Sequence, residues 1–237
     1  MIQAVAWTLL AFAPVADPDA SDIVQPKFED ATFTARVSTG NQAELAKITK
    51  DFGNSYRLKV VKSYLKEPLK LRLETTVDDT GITYIIAGFK RYVKVPRARI
   101  NTTENLEDKP GKMQSPLDYG IVTTSMMSEL FTAKYVRTDR ATGDYVFDMT
   151  YKSPKFSDTS RHRIWVDPQK RVLSKREWYN QHGRQMATFF YEEPMLRDGV
   201  WFPSRGTVRN MDGKIAGVIE YESVKVNSGL ADSLFKA

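Results

Sequence analysis

Residues 145–151 read Tyr145-Val146-Phe147-Asp148-Met149-Thr150-Tyr151 (YVFDMTY). In an extended chain Tyr145, Phe147, Met149 and Tyr151 share one side and Val146, Asp148 and Thr150 the other, which is the two-residue period of a strand in a sheet. A helix would scatter the same four large side chains around its circumference. Arg140-Ala141-Thr142-Gly143-Asp144, just before, is turn chemistry: glycine supplies a positive φ, and aspartate tolerates the left-handed region.

The pattern continues towards the C-terminus. Strands are predicted over 163–167, 172–180, 184–192, 200–210 and 215–227, separated by Asp167-Pro168-Gln169-Lys170, Asn180-Gln181-His182-Gly183, Asp198-Gly199 and Asp212-Gly213. Asp212-Gly213 predicts a tight type I′ hairpin, because both central residues of that turn need φ > 0. Before residue 145, extended segments are predicted at 33–38, 56–64, 69–77, 82–87 and 89–95, about eleven strands in all. Leu69, Leu71 and Leu73 point one way, while Lys70, Arg72 and Glu74 point the other. The fold class is therefore mainly β with a minor α component (α+β), and a sheet with one apolar face must close on itself or receive helices.

Two helices are candidates for that cover. Gln42 to Phe52 carries Leu45, Ile48 and Phe52 at helical spacing behind Asn41 as N-cap. Within Ser115 to Tyr135, Met126, Met127, Leu130 and Phe131 form an apolar stripe. A shorter turn is predicted at 230–235. Asn101 to Gln114, polar and containing Pro110-Gly111, reads as a loop inserted over the sheet, so residues 21–237 form a single domain.

The chain has 237 residues, 41% hydrophobic and 27% charged, within the globular range, with a net charge of +6 that favours anionic surfaces only mildly. It has no cysteine, which excludes disulfides, thiolate metal sites and a cysteine nucleophile. Residues 1–20 (MIQAVAWTLLAFAPVADPDA) form an apolar run followed by polar residues, expected to be a signal peptide cleaved after Ala16 or Ala20; the alternative is an apolar N-terminal segment of a cytosolic protein. No later segment is long and apolar enough to span a bilayer as a helix.

Catalytic and metal signatures are missing. The two histidines, His162 and His182, have no ligand-spaced partners and are expected on the surface. Asp158, Ser160 and His162 lack a nucleophile elbow, and no glycine-rich phosphate loop occurs. Glu192-Glu193 and Asp78-Asp79 sit beside turns, where solvated charge is the ordinary outcome, although a glycosidase-type pair stays open at this level. Tyr56-Arg57-Leu58-Lys59 and Phe89-Lys90-Arg91-Tyr92 fit the solvent faces of strands better than a nucleic-acid platform, since acids are interspersed. The expectation is thus no catalytic residue, no metal, no cofactor and no nucleic-acid partner.

Several segments resemble the LolA-like outer-membrane lipoprotein-sorting proteins. These are Pro68-Leu69-Lys70-Leu71-Arg72, Gly88 to Pro96 (GFKRYVKVP), Arg163-Ile164-Trp165-Val166-Asp167-Pro168, Gly183 to Tyr191 (GRQMATFFY), Trp201-Phe202-Pro203 and Val226 to Phe235. The resemblance implies an unclosed antiparallel β-barrel with two or three helices over its apolar face, acting in the periplasm as a monomeric, non-enzymatic carrier of acyl lipids or lipoproteins towards the outer membrane. An inner-membrane donor complex and an outer-membrane acceptor would be its partners. The chain departs from the family in having Glu67, not arginine, before Pro68, and in lacking a proline-glycine tail.

On this reading Tyr84, Ile86, Phe147, Met149, Trp178 and Phe190 line a lipid cavity, and Met126, Met127, Leu130 and Phe131 form its movable lid. Methionine is unbranched and polarizable, which suits a lining that adapts to flexible chains. A filled, ligand-free core is the competing reading of the same residues. Two other roles stay open for the fold: an envelope sensor that binds a protein partner, and a scaffold without ligand.

Overall fold

A computed structural model describes residues 16–152 and 155–236. Fifteen strands form, in chain order: β1 (Asp30–Gly40), β2 (Val60–Lys66), β3 (Lys70–Val77), β4 (Thr80–Ala87), β5 (Lys90–Val95), β6 (Ile100–Asn105), β7 (Phe131–Thr138), β8 (Tyr145–Tyr151), β9 (Arg161–Val166), β10 (Leu173–Tyr179), β11 (Gln185–Glu192), β12 (Met195–Arg197), β13 (Val200–Phe202), β14 (Arg205–Arg209) and β15 (Ile215–Val226). Thirteen make one antiparallel sheet in the order β6-β5-β4-β3-β2-β1-β15-β14-β11-β10-β9-β8-β7, and β12 with β13 forms a separate hairpin. The first fifteen residues of the predicted leader lie outside the described part of the chain.

The sheet is curved and unclosed: β6 and β7, consecutive in sequence, are its two opposite edges. Residues of β1 to β5, β7 to β11, β14 and β15 line one shared cavity, so their common face is concave. Register fixes which residues point inward. Leu71 pairs with Ile86 and Leu73 with Tyr84, while Lys70, Arg72 and Glu74 face out. Phe147 pairs with Ile164 and Met149 with His162, all on the concave side.

Three strands escaped the sequence reading: β12 of the small hairpin and two strands of the main sheet. Residues 100–105 (INTTEN) form β6 within a stretch expected to be loop, and 131–138 (FTAKYVRT) form β7 where the end of a helix was expected. Both are edge strands carrying mostly exposed polar residues, so neither shows a clean apolar alternation. The predicted strand at 200–210 is split: Pro203 and Ser204 interrupt it between β13 and β14.

The Asp212-Gly213 hairpin is not type I′. Only Gly213 has positive φ (+74°), the Gly213 N–H donates to the Asn210 carbonyl (3.0 Å) and the Asn210 N–H to the Lys214 carbonyl (3.1 Å). This is a type I turn closed by a left-handed glycine, a three-residue loop whose Asn210 carboxamide oxygen accepts from the N–H groups of Asp212 and Lys214. The two-residue turn geometry occurs instead at Asp78-Asp79, where both residues have positive φ.

The predicted first helix is broken into α1 (Gln42–Ala46) and α2 (Lys50–Ser55). Asn41 caps α1, its side chain accepting from the N–H groups of Ala43 and Glu44. Thr49 interrupts the helix by capping α2, accepting from the Phe52 N–H at 3.0 Å. The pair packs Leu45, Ile48 and Tyr56 against Ala187, Val208 and Ala216. The predicted methionine helix is one π-type turn, Met126–Leu130, and the C-terminal one a 3-10 turn, Asp232–Phe235.

The connection 106–130 crosses the concave face from β6 to β7 and fills part of it. Tyr119 meets Phe33 edge-on at 4.9 Å, and Phe33 meets Phe202 at 5.0 Å and Tyr221 at 5.5 Å. Gly120 ends the short 3-10 helix 116–119 with φ +79°, and a Cβ there would lie 2.8 Å from the Tyr191 ring, so only glycine lets the chain turn against β11. On the convex face the C-terminal turn is held by Lys66 and Lys70, both paired with Asp232.

Candidate functional site

Between the main core beneath the 106–130 crossing and the smaller cluster beneath α1 and α2, the concave face is left unfilled. The resulting cavity has a volume of about 510 Å³, within the size range of small-molecule sites. Its partly exposed rim is formed by Leu58, Val61, Thr75, Ile82 and Val93 together with exposed Lys112; its buried floor is formed by Tyr56, Ser63, Tyr119, His162, Arg176, Tyr191 and Tyr221. The cover is α2, through Phe52 and Ser55, on one side and residues 111–118 on the other.

The cover is positioned by polar contacts. Asp118 closes a capping box with Ser115, accepting from its N–H at 3.0 Å, and the Tyr191 hydroxyl donates to the Leu117 carbonyl at 3.0 Å. The Gly111 N–H donates to Asp158 at 3.0 Å, and Ser160 Oγ donates to the same carboxylate at 2.6 Å. Ser160 and Asp158 thus hold the crossing down. Tyr56 lies flat on Gly217: a Cβ at 217 would come within 2.2 Å of its ring.

Of the residues predicted to line the cavity, Tyr84 and Trp178 do. Phe190 borders it, but its pairing opposite Lys175 turns the ring to the convex face, where the Arg209 guanidinium lies 5.7 Å from its centre. Ile86, Phe147 and Met149 face inward yet are sealed within the main core. Of the predicted lid, Phe131 lines the cavity from the start of β7, its ring 4.6 Å from that of Tyr151. Met126 and Leu130 are buried in the core and Met127 packs against it, so these three do not face the cavity.

Sequence reasoning missed the polar floor. His162 is buried, at 6% exposure, against the expectation of a surface position; His182 is exposed, as expected. Its neighbour on β9, Ile164, shows why: both share the concave face opposite β10. Burial, reinforced by the Arg176 charge, holds the His162 imidazole well below its usual pKa, so it is neutral. Arg176 reaches the concave face through a β-bulge. The register break between Leu173 and Lys175 shifts the alternation by one, so Leu173 and Arg176, three apart, both face in.

Arg176 is 4% exposed and its Nη2 donates to Asp118 Oδ1 at 2.9 Å. Burial opposes its charge, and the neighbouring Tyr191 and Asp118 more than offset that, leaving its pKa above the ordinary value. Its guanidinium also lies 4.2 Å from the centre of the Phe189 ring. The floor tyrosines are desolvated: burial pushes Tyr84 up to about 12 and Tyr56, Tyr119, Tyr191 and Tyr221 higher still. Among the described residues no group of His, Asp and Glu is placed to hold a metal ion.

A family model described as uncharacterized-protein-like matches residues 99–237, more than half of the chain. The chain belongs to that family. Its architecture is the LolA-like one. A domain from Vibrio parahaemolyticus named for outer-membrane lipoprotein sorting superposes with a TM-score of 0.61 at 11% identity, covering 90% of this chain and 92% of that one. A LolA superfamily protein from Nitrosomonas europaea gives 0.58 at 15% identity, with 92% and 94% covered. A DUF1329 family protein from Desulfovibrio piger gives 0.53 at 14% identity, with 93% and 98% covered. No curated protein matches the chain. At these identities the likeness is one of fold: the LolA-like half-barrel is shared.

Proposed function

We propose that this chain is a non-enzymatic periplasmic carrier that shields the acyl part of a lipid or lipoprotein during transfer towards the outer membrane. The observation that carries this reading is the 510 Å³ cavity, walled by apolar side chains and left open between two filled regions of one concave sheet. A sheet of this size normally fills its apolar face with its own side chains; a persistent gap lined by Val61, Leu73, Ile82, Tyr84, Val93, Phe131 and Trp178 invites a hydrocarbon guest. Each methylene moved from water into it contributes about 0.8 kcal/mol, so a partly buried chain gives useful affinity.

The LolA-like fold supports the same reading, since two of the similar structures are named for that superfamily or for lipoprotein sorting. Residues 1–20 act as the export signal, residues 21–237 as the carrier domain, and donor and acceptor complexes at the inner and outer membranes hand the cargo on. Native mass spectrometry of the exported protein, purified without detergent and followed by organic extraction, tests the proposal. A stoichiometric acyl lipid is the expected result; a bare protein mass that takes up no added lipid would overturn it and favour a partner-binding or scaffold role.

A further inference from the structure

We infer that the cavity receives a single free fatty acid with its carboxylate inward, at Arg176, rather than the acyl chains of a lipoprotein. This rests on the carrier reading above and narrows its cargo.

Arg176 is a buried cation in the wall of a cavity otherwise suited to hydrocarbon. Only Nη2 has a protein acceptor, Asp118 Oδ1; Nε is buried with no hydrogen-bond partner among the described residues. On the adjacent strand, diagonal to Arg176 on the same face, His162 leaves Nδ1 buried and unpartnered as well. More than nine in ten buried polar groups in folded proteins are hydrogen-bonded, so two orphans side by side on one cavity floor call for an acceptor that comes from outside. Hydrocarbon supplies none, and against hydrocarbon the orphaned guanidinium costs free energy.

A carboxylate matches this floor. Its two oxygens meet the Arg176 Nε–H and, in the tautomer that protonates Nδ1, the neutral His162. A phosphate would bring a third oxygen for which the floor offers no further orphaned donor but the Ser63 hydroxyl, placed on β2. Asp118 competes for the same cation, yet one of its oxygens is engaged by the Ser115 N–H, and the other takes Nη2, leaving Nε free.

Depth decides the orientation. The rim residues Leu58, Val61, Ile82 and Val93 are apolar and partly exposed, whereas Arg176 and His162 lie on the floor. The head therefore lies inward and the tail runs to the rim. A lipoprotein needs the reverse, because its polypeptide head cannot follow the chains into 510 Å³.

The test compares oleate with methyl oleate by competition against a fluorescent hydrophobic probe, using the full mature chain at neutral pH. Wild type is expected to bind oleate roughly tenfold to a hundredfold more tightly than the neutral ester, the effect of a hydrogen bond to a charged group. Arg176→Met should abolish that preference while keeping ester affinity, and Asp118→Asn, which relieves competition for the guanidinium, should raise oleate affinity. Equal affinities for the two ligands in wild type overturn this inference alone and leave the carrier reading standing. If neither ligand binds, the carrier reading fails and the inference with it. Should Arg176→Met fail to fold, the wild-type comparison and Asp118→Asn decide the matter.

Discussion

Glu67 grips Ser125 twice: one carboxylate oxygen accepts from the Ser125 N–H at 2.8 Å and the other from its hydroxyl at 2.6 Å. Glu67 leads into β3 and Ser125 opens the Met126–Leu130 turn, so the pair fastens the 106–130 crossing to the sheet. The residue stands where the resemblance to LolA-like proteins calls for arginine; here the tie is made with the opposite charge, through a hydroxyl and a main-chain donor. Glu67→Ala should lower stability by about 1.5 to 3 kcal/mol, the worth of hydrogen bonds to a charged group. Urea denaturation measures the loss, and hydrogen exchange at residues 120–130 should rise with it. Unchanged protection there would sink the fastening role.

Asp30, almost wholly buried, gathers the N–H groups of Ser228, Gly229 and Leu230 and the Ser228 hydroxyl at 2.8 to 3.0 Å. Asp30→Ala orphans these donors, and a loss of about 3 kcal/mol is expected. For a domain of this size that is a fall in Tm of roughly 6 to 12 °C, readable by calorimetry. A shift of a degree or less would contradict it.

Gly217 provides the flat seat for Tyr56. Gly217→Ala places a methyl within 2.2 Å of the ring, which must move and carry α2 with it. The expected cost is about 1 to 3 kcal/mol, typical of overpacking, together with a change in probe binding, because Tyr56 and Phe52 both line the cavity. A variant with wild-type stability and unaltered probe affinity would show that the seat is dispensable.

The floor tyrosines make the protein sensitive to alkali. A tyrosine in an unfolded chain loses its proton near pH 10, whereas burial holds Tyr84 up to about 12. The folded state therefore keeps a proton that the unfolded state gives up. Stability is complete below about pH 10 and is lost as pH rises through about 12. Tyrosinate absorbance should show a fraction of the 11 tyrosines titrating late and together with loss of near-ultraviolet dichroism. All of them ionising near pH 10 with intact dichroism would refute the burial.

Strand alternation in residues 145–151 and 69–74 correctly identified the concave face, because large apolar side chains spaced two apart are rarely ambiguous. Edge strands β6 and β7 were illegible since edges are kept polar. The cavity itself could not be read: Phe147 and Phe131 carry the same signal in sequence, but which inward side chain meets another and which meets empty space depends on how the 106–130 crossing lies. Arg176 was within reach. It stands two residues before Trp178 and so shares its face, and only the habit of assigning charge to solvent hid it. Phe190 is the opposite case: it borders the cavity as expected, but from the convex side, because Phe189 and Tyr191 occupy the inward face.

The edges β6 and β7 are joined by a strap of chain, not by a hydrogen-bonded ladder. A closed barrel admits a guest through an end of fixed girth, and widening that girth means breaking backbone bonds between two of its staves. This one is built like a bow and its string: a thirteen-stranded limb whose mouth can widen with every rung of the sheet still made, and a string tied to it by buried apolar side chains, by main-chain bonds such as Leu173 N–H to the Gly120 carbonyl, and by the pairs Glu67–Ser125 and Arg176–Asp118. On the proposed carrier reading, a guest or a partner that loosens the two polar knots changes the mouth without unravelling the fold.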